Sequence, residues 1–306
     1  PPPPPPPLFS TPTPAYPISA CLVGSEMCIR DSYIPGSKPR ALEKARNLPT
    51  DSIIFDLEDA VSAESKSEAR AILHAALAQG GYGARLKIVR INALDTPWGE
   101  ADLQALDGLD LDAVLLPKVN SAGDLDALAD VMGEKWPLWA MLETPLGILN
   151  AGEIAAHPLL QALVAGTNDL AKDLKCQLTL TRDSLQMALQ ALVLAARAHD
   201  VALLDGVYNQ FHDEEGLIAQ CRQGRALGFD GKTLIHPAQL SAANRCFAPS
   251  ADEIELAQRQ ISAFEEAEAA GQGVAVLDGT IIENLHIETA RKTLAMAQAI
   301  AAMQTE

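Results

Sequence analysis

Glu143 in MLETPLG and Asp169 in GTNDL each close a short apolar run. If those runs are neighbouring strands, about 4.8 Å apart, the two carboxylates can reach one cation. Two carboxylates completed by water and substrate oxygens suit Mg²⁺, which takes an octahedron of oxygen ligands and seldom has an all-protein cage. The three histidine or cysteine ligands that a catalytic zinc requires do not stand at these run ends. Gly166 lets the backbone approach a ligand closely. The N–H groups of 166–170, Asn168 among them, open a helix and are candidates to hold a substrate carboxylate. Arg90 ends another run, VRIN. A buried arginine beside a metal can stabilise a developing oxyanion, or it can pair internally with Asp56 or Glu58; the two roles are compatible. Lys118 in LLPK is either a Schiff-base lysine or a counter-charge to the carboxylates, and a metal pair favours the second. His236, just before Pro237, either acts at the rim or hydrogen-bonds within it.

The elements that must position these groups can be read from the same runs. From Ser32 onward, eight apolar segments alternate with helical stretches: 33–36, 52–59, 87–92, 113–118, 138–144, 163–169, 201–208 and 232–237. Most are leucine-rich or β-branched and too short for helices, as buried parallel strands are. The segments between them are amphipathic, for example 184–199. Eight such units predict an α/β fold of the (β/α)₈ barrel type, whose active site lies at the carboxyl ends of the strands. Asp56, Glu58, Arg90, Asn92, Lys118, Glu143, Asp169, Asp205 and His236 would then converge on one rim. Residues two apart in a strand face the same way, so Asp56 is expected to pair with Glu58, and Arg90 with Asn92.

A chain of 306 residues, 48% hydrophobic, can bury one large core. A net charge of −17 argues against nucleic acid and anionic membrane as partners. No run of about 18 apolar residues predicts a membrane span. Five cysteines at irregular spacing give no disulfide framework and fit a reducing, cytoplasmic setting. Ten of the 20 prolines precede residue 18. This leader is a poor signal peptide and is expected to be extended. The CLVGSEMCIRDS that follows reads as a translated adapter fragment, so residues 1–31 are expected to be non-native or a disordered leader. The barrel is assigned to 32–250 and a C-terminal extension to 251–306. That extension comprises a helix over 252–270, an extended piece over 275–282 turning at Asp278-Gly279, and a helix over 284–303.

YIPGSKPR, IIFDLEDAV, VRIN, LLPK, METPLG, GTNDL and GFDGKTLIHPAQL, in this order, resemble the citrate lyase β-subunit-like branch of the HpcH/HpaI aldolase family over about residues 32–306. The resemblance implies a barrel enzyme, trimeric or hexameric, that uses Mg²⁺ and an acyl thioester. By position, Glu143 and Asp169 resemble the metal ligands, and Arg90 the substrate-binding arginine. Glu58 resembles a carboxylate supporting the metal's waters, and Lys38 and Arg40 the basic residues near the coenzyme A phosphates. In the family the C-terminal extension is a helical lid over an active site, often a neighbour's, and carries a catalytic aspartate; Glu283 in TIIEN stands there. The family's first strand is usually longer than YIPG, so a shortened first strand and a strained barrel are expected.

The reaction these features imply is Mg²⁺-dependent cleavage or formation of a 3-hydroxyacyl thioester, such as citramalyl-, malyl- or citryl-coenzyme A. The products are an acyl-coenzyme A and a 2-oxo acid, with Glu283 moving the proton. The rival readings are a metal-dependent pyruvate aldolase needing no thioester and a non-catalytic barrel subunit. A carrier protein in place of coenzyme A also stays open.

Overall fold

The computed structural model describes residues 29–303, so the leader, Cys21 and Cys28 lie outside the described residues. Eight parallel strands close a barrel: β1 (Ile29–Pro35), β2 (Ser52–Asp56), β3 (Leu86–Arg90), β4 (Ala113–Leu116), β5 (Leu138–Leu142), β6 (Leu160–Ala165), β7 (Ala202–Asp205) and β8 (Gly231–Leu234). Each expected run overlaps one strand, with β1 and β6 beginning four and three residues earlier than expected. Helices return the chain between strands, and their inner faces pack on the outside of the barrel through Leu42, Leu73, Leu125, Leu128, Leu189, Leu192 and Leu217. Inside the barrel lies a separate apolar cluster, including Ile54, Ile88, Leu115, Trp139, Met141, Val164 and Leu204. Strand alternation produces the two: one face fills the barrel and the other meets the helices.

The first strand is not shortened. It has seven residues, and Ile29–Ser32 pair with Gly231–Leu234 of β8 to close the barrel. The expected boundary at 32 therefore falls inside β1. This closing segment fits its surroundings poorly. Asp31 is fully buried opposite Ser52 and Thr233. Neither of its carboxylate oxygens, nor the Ser52 hydroxyl, has a hydrogen-bond partner among the described residues. Burial, with Asp51 nearby, holds the Asp31 carboxyl well above the usual range. A buried carboxylate without partners is costly.

Beyond the barrel, the helix Ala251–Ala269 leads into an antiparallel hairpin, β9 (Ala275–Leu277) and β10 (Thr280–Ile282). Both turn residues, Asp278 (φ 51°) and Gly279 (φ 79°), are left-handed, as a two-residue hairpin turn requires. The helix Asn284–Met303 follows. Phe264, Ala267, Ala275, Ile282 and Ile287 form the extension's own small core, and Met296 packs against the main one.

Candidate active site

The carboxyl ends of the strands surround a cavity of about 350 Å³. Tyr33, Asp56, Arg90, Met141, Glu143 and Asp169 are among its walls. Register explains much of this. Asp56 and Arg90 are paired positions at the ends of β2 and β3. The guanidinium grips Asp56 with two hydrogen bonds, Nε to Oδ1 at 2.8 Å and Nη2 to Oδ2 at 2.6 Å. Its remaining Nη1 lies 3.1 Å from Glu58 Oε2, and the group stands over the Tyr33 ring at 4.9 Å. Burial disfavours the charge of Arg90, but the carboxylates more than offset it, so the pKa is raised.

Glu143 directly follows β5 and is 3% exposed. Its Oε1 accepts the Lys118 backbone N–H at 3.0 Å. On its other side lies Gly166, directly after β6: a Cβ there would stand 2.3 Å from the Cβ of Glu143 and 2.6 Å from its Oε2. Asp169 lies one turn on, in the helix Thr167–Asp173. The Lys118 ammonium is 2.6 Å from Glu58 Oε1 and 3.6 Å from Asp169 Oδ2. Burial, with Glu58 and Asp169 adding to it against Lys118 and Arg90, pushes the Glu143 carboxyl up to about 7. Burial also raises Glu58, against Arg90 and Lys118. Glu143 and Asp169 line the cavity and Glu58 does not. Among the described residues no group of three or more His, Cys, Asp or Glu side chains is placed to hold a metal ion, so the fit to Mg²⁺ is that of two hard oxygen donors completed by water and substrate oxygens.

The HpcH/HpaI aldolase/citrate lyase family model matches residues 32–237. The chain belongs to that family. It is 60% identical over 272 residues to the (3S)-malyl-CoA thioesterase of Cereibacter sphaeroides strain KD131, covering 89% of this chain and 95% of that protein. It is 34% identical over 277 residues to the citrate lyase subunit beta of Escherichia coli K12, covering 87% and 92%. Among solved structures it is similar to the protein CitE of Mycobacterium tuberculosis in complex with magnesium, acetoacetate and coenzyme A. The TM-score there is 0.76 at 28% identity, over 90% of this chain and 99% of that one. These relatives support the citrate lyase β-like branch.

In this family member, Arg90, Glu143, Gly166, Asn168 and Asp169 line one cavity. Glu58 stands behind it, linking Arg90 and Lys118. Three expectations need correction. Asn92 does not follow Arg90 inward, because β3 ends at Arg90; its amide turns to Asp102 and Lys66 behind the wall. Asp205 lies on the outer face of β7, fully buried between Arg182 Nη1 at 2.6 Å and Lys232 Nζ at 3.0 Å. Burial alone would raise its pKa, but the two cations hold it below the usual range. The N–H of Gly166 donates to Leu142 O and that of Leu170 to Gly166 O, so neither is free for a substrate. His236 hydrogen-bonds within the rim, where its Nδ1 accepts the Ala238 N–H, and its ring stacks on Phe211. Lys38 and Arg40 are exposed after β1. Glu283 is exposed, its N–H donated to His286, and among the described residues none beyond Ile235 lines the cavity.

Sequence reading passed over Tyr33, Thr233 and Asn209, all of which line the cavity. Alternation along YIPG and KTLIHP places Tyr33 and Thr233 inward and could have found them. Asn209 exchanges two amide hydrogen bonds with Asn168, at 2.8 and 3.2 Å, and nothing in the sequence marks that pair. Cys176, Cys221 and Cys246 are free. Among the described residues no helix is long and apolar enough to cross a membrane.

Proposed function

We propose that this chain acts on a 3-hydroxyacyl-coenzyme A thioester of the malyl type, with Mg²⁺ bound by Glu143 and Asp169. The observation that carries this is that Glu143, Asp169 and Arg90 line one cavity at the strand ends, with Glu58 behind them joining Arg90 to Lys118. The 60% identity to a (3S)-malyl-CoA thioesterase supports the substrate class. It also favours hydrolysis of the thioester over the carbon–carbon cleavage that the sequence alone suggests. Likeness to a citrate lyase subunit keeps the cleavage as the second reading.

Bound at this wall, Mg²⁺ would polarise the oxygens of the hydroxy-acid end of the substrate. Glu143 is fixed for that task by the Lys118 N–H and by the space Gly166 leaves. Arg90, locked by Asp56 and with its Nη1 beside Glu58, would hold positive charge at the cavity wall against charge developing on the substrate. Lys38 and Arg40, exposed after β1, would take the coenzyme A phosphates. In hydrolysis, water adds to the thioester carbonyl carbon, the C–S bond breaks and the thiolate leaves, taking a proton. In cleavage, the hydroxyl loses its proton to a carboxylate. The bond from the hydroxyl carbon to the thioester α-carbon then breaks, and that α-carbon takes a proton. Glu283 of a second copy of the chain would serve as the proton-moving carboxylate, the extension acting as lid in a homotrimer or homohexamer.

The deciding experiment incubates the protein with malyl-, citramalyl- and citryl-coenzyme A, with Mg²⁺ or with EDTA. Free thiol is read with a disulfide reagent and 2-oxo acid with a hydrazine. EDTA-sensitive thiol release from malyl-coenzyme A without glyoxylate establishes hydrolysis; glyoxylate without free thiol establishes cleavage. Neither product from any thioester would overturn the proposal, and condensation of pyruvate with an aldehyde would then favour the aldolase.

A further inference from the structure

Lys118 is the residue at this site with an unexplained backbone. Its φ is +55°, the left-handed region that an unbranched lysine with a Cβ enters at a cost. Two contacts use that conformation. The backbone N–H holds Glu143 Oε1. The side chain turns back to place its ammonium against Glu58 Oε1, 2.6 Å away, with Asp169 Oδ2 at 3.6 Å. One residue therefore touches all three carboxylates of the wall: one by its amide and two by its charge.

We infer that Lys118 is an internal counter-cation: its ammonium neutralises the carboxylate wall before the metal enters and weakens metal binding by occupying the same electrostatic well. This is a positioning role and rests on the reading of Glu143 and Asp169 as the metal's ligands. The argument is one of distance. A group 3.6 Å from one carboxylate assigned to the cation lies within a few ångströms of any ion that carboxylate would hold. Like charges at such separations repel by an amount that stays appreciable even near the surface. The side chain is 42% exposed, so its ammonium can draw away from Asp169 when the ion arrives. Its pairing with Glu58 can persist, because Glu58 stands behind the cavity. The strained φ is then the cost of keeping an amide donor and a counter-charge on the same residue. Glycine at this position would serve the amide alone.

The inference is tested on the full chain with magnesium chloride as the only ligand, by calorimetric titration and by thermal melting in EDTA. Lys118→Met removes the charge. Lys118→Gly removes it while keeping the N–H and relieving the backbone. Lys118→Arg keeps the charge. The expected result is Mg²⁺ affinity about tenfold or more tighter than wild type in Lys118→Met and Lys118→Gly, and near wild type in Lys118→Arg. In EDTA, Lys118→Met melts below wild type and gains more from added Mg²⁺. If Lys118→Met misfolds, Lys118→Gly carries the comparison. Wild-type or weaker affinity in both uncharged variants would overturn the inference. A wild-type protein that binds no Mg²⁺ would instead overturn the assignment of the metal ligands.

Discussion

Gly166 and Glu143 occupy one another's space: the side chain of Glu143 passes where any Cβ on residue 166 would be, 2.3 Å from its own Cβ. The glycine of GTNDL is thus set by the glutamate of MLETPLG on the adjacent strand. Gly166→Ala must push the carboxylate out of line. A displacement of about 1 Å in such a group costs about 100-fold in kcat/KM, and the same variant is expected to bind Mg²⁺ more weakly. Wild-type kinetics in Gly166→Ala would show that Glu143 needs no fixed position.

Glu143→Gln and Asp169→Asn keep shape and remove charge. Each is expected to lower kcat by about 10²–10³-fold, the loss typical of removing one preorganised electrostatic contact. Titration calorimetry should show the loss of Mg²⁺ heat in the same variants. Unchanged metal binding in either would remove that residue from the ligand set.

Asp31 offers a pH test away from the site. Its folded pKa is raised by burial, above an unfolded value of about 3.9. Its contribution to stability is therefore fully present below pH 3.9 and lost as pH rises toward the folded pKa. Asp31→Asn and Asp31→Val should be more stable than wild type at neutral pH by at least ~1–3 kcal/mol. The gap should narrow in acid. Chemical denaturation at pH 4 and pH 7.5 measures both points, and a variant less stable than wild type at neutral pH would contradict the account.

Asp205 was expected among the rim residues and instead binds Arg182 and Lys232 behind the wall. Removing one partner of a buried pair leaves uncompensated charge and costs about 3–5 kcal/mol. Asp205→Ala should lose that much stability in denaturant melts while the folded fraction keeps its KM. A selective loss of substrate affinity would return Asp205 to the site.

Glu283 tests the lid. Glu283→Gln and Glu143→Gln are each expected to be nearly inactive. Unfolded together and refolded, they should regain activity if one subunit's extension serves another's barrel, because some sites then hold both glutamates. No recovery from the mixture, with each variant oligomeric, would confine each site to one chain.

The barrel and most of its rim were legible in the sequence because both rest on local order. Short apolar runs ending in Asp56, Arg90 and Glu143 specify where each strand stops and what it carries. Facing direction was less legible. Asp205 sits at a strand end too, but like Lys232 near the start of β8 it faces outward, and that phase shows only when Leu204 and Thr233 are counted inward first. Asn92 escaped because a strand that ends at Arg90 no longer alternates. Glu283 is exposed in the extension, away from the residues that line the cavity, so its part in the site was not legible from strand ends.

The paired amides of Asn168 and Asn209 stand between the main cavity and a second one of about 230 Å³, whose walls they share with Thr167 and Val207. A wall made of two side-chain amides differs from one of packed hydrocarbon. This one is closed by two hydrogen bonds between side chains that follow β6 and β7, so none of the barrel's own ladder bonds is spent on it.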